Sequence, residues 1–71
     1  MTLTERVRAL FISRPNEWVD GRELAQVGGY AAWRTRLSEC RQRFGMAIDN
    51  EVIRHEDYTV SRYRYRPERL F

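Results

Sequence analysis

The sequence is short of several residue types, and each shortage excludes something. One cysteine, Cys40, cannot form an internal disulfide, and one histidine, His55, cannot join it in a cluster of Cys, His and carboxylates with metal-ligand spacing. Lysine is missing: all 13 basic residues are arginine. A genome rich in G and C favours arginine codons, so the absence itself says little, and only the placement of the arginines bears on function. There is no long apolar run and no signal-peptide pattern, which predicts a soluble cytoplasmic protein with no membrane partner. Repeats, linkers and low-complexity stretches are absent as well. The 71 residues make one domain, 1–71, near the lower size limit for a core without staples. Little room is left for an active-site cavity. His55 stands beside Glu56 and Asp57, but on what reads as a solvated hairpin tip with no pocket to shift a pKa or exclude water. The expectation is a protein that is not an enzyme and takes no cofactor and no metal.

What is present is a globular composition, 42% hydrophobic and 32% charged, with a net charge of +3 that points modestly to an anionic partner. Thr2 and Glu5 form a capping box that opens a first helix through Ser13, with Val7, Leu10 and Phe11 on its buried face. Arg14-Pro15-Asn16 ends it, because the residue before proline is pushed out of the helical region. Glu17-Trp18-Val19 reads as a brief strand. Asp20 is placed to cap a second helix, with Glu23 able to cap reciprocally and Leu24 and Val27 as its apolar edge. Gly28-Gly29 stops that helix in a sharp turn. After Gly45 the period changes from helical to alternating. Ile48, Asn50 and Val52 share one face, residues 58–66 alternate clearly, and His55-Glu56-Asp57 is the turn between two strands. Tyr63 and Tyr65 should point onto the helices, with Arg62, Arg64 and Arg66 outward. Pro67 should close the strand and leave Glu68 to Phe71 as a short tail.

Residues 28–45 carry the most information, and they read as one helix with two faces. At about 3.6 residues per turn, Trp33, Leu37, Cys40 and Phe44 form an apolar stripe. Opposite lie Ala31, Thr35, Ser38 and Gln42, a small uncharged surface that can approach base edges. Arg34 and Arg41 flank it on one side and Arg36 and Arg43 on the other, facing where two phosphate backbones would run. Helix, tight turn and longer helix in succession form the helix-turn-helix signature. Large apolar residues are scarce in a chain this small, so Trp18, Trp33 and Phe44 are expected in the core, as is the Cys40 thiol.

Three segments carry a family likeness: Glu17-Trp18-Val19-Asp20-Gly21-Arg22-Glu23-Leu24-Ala25, then Arg34-Thr35-Arg36-Leu37-Ser38-Glu39-Cys40-Arg41, then Gly45-Met46-Ala47-Ile48. With the order of elements, they make the whole chain similar to the small stand-alone winged helix-turn-helix proteins of bacterial and phage genomes. Cys40 departs from the leucine usual there but keeps the position apolar. The resemblance implies an α+β winged helix-turn-helix fold: three helices, a short strand and a C-terminal two-stranded β-hairpin wing. It also implies sequence-selective binding of double-stranded DNA, by a small transcriptional repressor or a mobile-element accessory protein that sits on the nucleoid when bound. The docking it implies puts the third helix in the major groove and nominates Tyr30, Ala31, Arg34, Thr35 and Ser38 for base reading. Arg22, Arg41, Gln42, Arg43, Arg54, Arg62, Arg64 and Arg66 are nominated for phosphates.

The residues themselves qualify that assignment. Arg36, three before Glu39, can pair within the helix, and Arg41 and Arg43 also complement the helix dipole. Asp49 and Glu51 can pair across the wing to its arginines, and the acidic tip, Glu56 and Asp57, should stay outside a minor groove. A homodimer is compatible with this reading. The alternative is a protein-interaction module that binds a host or phage protein through the acidic wing, without DNA.

Overall fold

The computed structural model describes residues 1–70, Leu70 through its backbone alone. Phe71, the end of the expected tail, lies outside the described residues. Those residues form three helices and one three-stranded antiparallel sheet: α1 (Leu3–Ser13), β1 (Trp18–Asp20), α2 (Gly21–Val27), α3 (Trp33–Phe44), β2 (Met46–Arg54) and β3 (Thr59–Leu70). This is the α+β order read from the sequence. The strand order is β1-β3-β2, so β3 lies between the other two.

Local chemistry explains most boundaries. The Thr2 hydroxyl accepts from the Glu5 amide at 3.1 Å and the Thr2 amide donates to Glu5 Oε1 at 3.0 Å, which satisfies two amides that have no partner inside α1. Asp20 caps α2 by accepting from the Arg22 amide at 2.7 Å. Glu23 does not complete a second capping box as expected. Its carboxylate is drawn to Arg14 at 2.7 Å, where the chain leaving α1 brings that guanidinium alongside α2.

The third helix is shorter than the sequence pattern suggests. Residues 28–32 form a turn in which Gly29 (φ 80°), Tyr30 (φ 63°) and Ala32 (φ 60°) are left-handed, and α3 starts only at Trp33. Tyr30 and Ala31 therefore stand ahead of the helix rather than on it. Helical periodicity cannot reveal this, because alanine and tyrosine carry no signal for a positive φ. Gly28 has its own constraint: a Cβ there would come 2.9 Å from Trp33 Cβ, so the two helices pack at glycine distance.

The core gathers Val7 and Phe11 from α1, Val19 from β1, Leu24 from α2, Leu37 and Cys40 from α3, Met46 and Ile48 from β2, and Tyr63 from β3. Tyr65 packs against it, so both inward tyrosines are where alternation put them. Thr4 is also buried, and its hydroxyl donates to Glu39 Oε2 at 3.0 Å, joining α1 to α3.

Two expected core residues are not core. Phe44 is 38% exposed, at the last turn of α3, with the guanidinium carbons of Arg8 and Arg43 4.7 and 5.5 Å from its ring centroid. Trp18 is only half-buried, because it faces away from the helices, and Arg62 and Arg64 cover its ring at 4.6 and 4.4 Å. Pro67 does not close β3 either. The register jumps there, with Ile48 opposite Tyr65 but Met46 opposite Leu70, and proline falls in the irregular stretch where a missing N–H removes no ladder bond.

Candidate nucleic-acid interface

Alternation along β3 divides its charges from its hydroxyls. Opposite residues of antiparallel strands share a face, so Trp18, Arg64 and Asp49 form one row on the side away from the helices, and Asp20, Arg62 and Glu51 form the next. On that face the arginines are met by carboxylates: Arg62 to Glu51 at 2.7 Å, Arg64 to Asp49 at 3.1 Å, and Arg66 to Asp49 at 3.3 Å and to Glu68 at 2.8 Å. The hydrogen bond from Arg64, reinforced by the charges of Arg64 and Arg66, holds the Asp49 carboxyl below the usual carboxylate range. Arg62 Nε and Arg64 Nε are shut off from solvent with no acceptor among the described residues. At Arg62, Arg64 and Arg66 the wing is thus charge-compensated within the chain.

The arginines of α3 divide in a similar way. Arg36 and Arg43 both reach Glu39, at 3.2 and 3.6 Å. Arg41 donates to the Ile48 carbonyl at 2.7 Å and ties the helix to β2. Arg34 has neither carboxylate nor carbonyl partner among the described residues; its guanidinium lies 4.6 Å over the Trp33 ring. Next to it Thr35, Ser38 and Gln42 are exposed, with Leu37 and Cys40 buried behind them, so the helix carries the two faces expected of it. Burial pushes the Cys40 thiol up to about 11, and its S–H points to the Thr4 carbonyl at 3.7 Å. It is a packing residue.

Between the start of α2, the start of α3 and β3 lies a cleft of about 230 Å³, lined by Arg22, Ala25, Trp33, Arg34, Thr59 and Ser61 among others. Arg22 and Arg34, nominated for different tasks, meet at this one feature. Arg54 is exposed on β2 directly opposite Thr59. Thr59 and Ser61 carry no motif of their own, but alternation is the signal that marks them: they share the face of Tyr63 and Tyr65, at the edge of α2 and α3. At the tip, His55 and Tyr58 stack with centroids 4.4 Å apart, and Glu56, Asp57 and Tyr58 are exposed, the last at 54%. Among the described residues no group of three His, Cys, Asp or Glu is placed to hold a metal ion, and no helix is long and apolar enough to cross a membrane.

The sequence matches the KpnI N-terminal domain over residues 4–65. The chain belongs to that family. The match sets it in a DNA-related, restriction-enzyme context, and the matched span takes in every residue nominated above except Arg66. No curated protein and no solved structure matches the chain. Within the KpnI N-terminal domain span lie both the paired arginines Arg62 and Arg64 and the three, Arg22, Arg34 and Arg54, that have no carboxylate partner among the described residues.

Proposed function

We propose that this KpnI N-terminal domain is a winged helix-turn-helix module that binds duplex DNA, with α3 in the major groove. The observation that carries the reading is on α3 itself: an exposed, uncharged strip of Thr35, Ser38 and Gln42 beside Arg34, which has no acidic partner among the described residues, rigidly backed by Leu37 and Cys40. Arg34 is the leading base reader, since a forked contact from arginine to guanine discriminates by roughly 1 to 3 kcal/mol. Thr35 and Ser38 read beside it, Tyr30 and Ala31 approach from the preceding turn, and Arg22, Gln42 and Arg54 meet phosphates, joined by Arg43 once it leaves Glu39. Arg41, Arg62, Arg64 and Arg66 would have to leave their present partners to do so, and they serve first to hold the wing. The family context favours recognition of DNA beside a restriction enzyme over transcriptional regulation.

Binding to a random duplex across a salt series tests this, because phosphate neutralisation predicts a log-log slope of about −0.9 per ion pair. Arg34→Ala and Thr35→Ala should weaken a duplex selected from a random pool far more than random duplex while leaving the melting temperature nearly intact. A flat salt response with no shift of any duplex would favour the second reading, contact with a protein through the wing tip. That reading draws on the exposed Tyr58 and its acidic neighbours Glu56 and Asp57.

A further inference from the structure

We propose that the cleft between α2, α3 and β3 seats one sugar–phosphate unit of the bound strand, its phosphate held by Arg22, beside the base-reading Arg34, and its deoxyribose against Trp33. The assignment rests on the DNA-binding reading above and adds the place where the strand crosses the protein.

Three observations carry it. The first is charge. Arg22 and Arg34 line the cleft and neither has a carboxylate partner among the described residues, whereas Arg62, Arg64 and Arg66 on the other face of the sheet each lie within 3.3 Å of one. Asp20 also lines the cleft, but its Oδ1 is engaged by the Arg22 amide at 2.7 Å. A phosphate entering there meets the Arg22 guanidinium, whose donors are not committed to an acid and suit phosphate oxygens, while the second cation, Arg34, adds favourable charge as it reads the neighbouring base.

The second is lining chemistry. Trp33 and Ala25 give an apolar surface, and the lining also includes Thr59 and Ser61, whose hydroxyls make no side-chain hydrogen bond among the described residues. Apolar floor, hydroxyl wall and cationic rim match a sugar ring joined to a phosphate. Gly21 keeps the floor tight, because a Cβ there would come 3.2 Å from the Ser61 carbonyl and 3.3 Å from the Trp33 ring.

The third is size and place. At about 230 Å³ the cleft is smaller than the roughly 300 Å³ at which pockets for whole drug-sized ligands begin, so it suits one unit of a polymer better than a free cofactor. It opens at the N-terminal end of α3, beside Arg34 and one position from Thr35. A strand read at that end has its backbone within reach of the cleft.

The experiment uses the intact chain and a duplex selected from a random pool, with single neutral methylphosphonate linkages placed in turn along each strand. One linkage next to the base read by Arg34 should cost about tenfold in affinity, the size of one lost hydrogen bond to a charged group. Arg22→Ala should cost about the same and lower the salt slope by about 0.9. Arg22→Ala tested on that neutral linkage should lose no more than about twofold beyond either change alone, since both remove one contact. Ser61→Ala should show the same masking at the same linkage, and unchanged thermal melts of both variants exclude misfolding. If the Arg22→Ala loss is equal at every linkage, the cleft is empty of phosphate and the proposal fails while DNA binding stands. If no duplex is bound at all, the proposal and the DNA-binding reading fall together.

Discussion

Tyr30 holds a left-handed backbone, φ 63°, with a bulky side chain that is 68% exposed. For a residue with a Cβ that conformation costs roughly 1 to 2 kcal/mol, and glycine adopts it freely. Because so little packing would be lost, Tyr30→Gly should raise the melting temperature by several degrees, readable by circular dichroism. An unchanged or lower value would mean that the ring contributes more to the fold than its exposure indicates. Cys40 makes the opposite case. Its folded value of about 11 lies above the ordinary 9.0, so between those values the folded chain keeps a proton that the unfolded chain releases. The stability linked to this thiol is therefore complete below about pH 9 and is lost as the pH rises toward 11. At pH 8 a thiol reagent should label the native chain far more slowly than the urea-unfolded chain; equal rates would show that the thiol is open.

The elements differ in how much of their apolar sequence they bury. α1 places Val7 and Phe11 fully inside, whereas the stripe of α3 is buried only at Leu37 and Cys40 and fades toward Phe44. Phe11→Ala should cost roughly 3 to 5 kcal/mol, enough to unfold a domain of this size, and Phe44→Ala about 1 kcal/mol, both measured by urea titration. Similar costs for the two would contradict the burial described here.

What was legible in the sequence follows the range of the interactions. The Thr2–Glu5 capping box, the Pro15 stop and the inward Tyr63 and Tyr65 depend on neighbours a few positions away, and each is found where it was read. The start of α3 escaped because nothing in Tyr30-Ala31-Ala32 marks a positive φ. The pairing of Arg62 and Arg64 with Glu51 and Asp49 was legible as an option, since opposite charges on neighbouring strands attract. Their stacking on Trp18 was not, because it requires β1 beside β3, a long-range fact. The exposed uncharged strip of Thr35, Ser38 and Gln42 on α3 is visible from periodicity alone, but the cleft beside it that includes Thr59 and Ser61 needs the tertiary fold.

At the scale of the whole molecule, the position of β3 between β1 and β2 has a kinetic consequence. The β2–β3 hairpin joins near neighbours in sequence and closes on a timescale of about 1 to 10 μs in isolation, whereas β1 must find its place on β3 across α2, α3 and β2. The three residues of β1 should therefore join the sheet late, after the folding barrier has been crossed. Val19→Ala should then speed unfolding several-fold and leave the refolding rate nearly unchanged in stopped-flow traces, while Ile48→Ala should slow refolding. Equal effects of Val19→Ala on both limbs would place β1 in the folding nucleus instead. With β1 joining late, the lifetime of the folded domain is governed at its shortest strand, and a protease would find its first opening at Pro15 to Asp20.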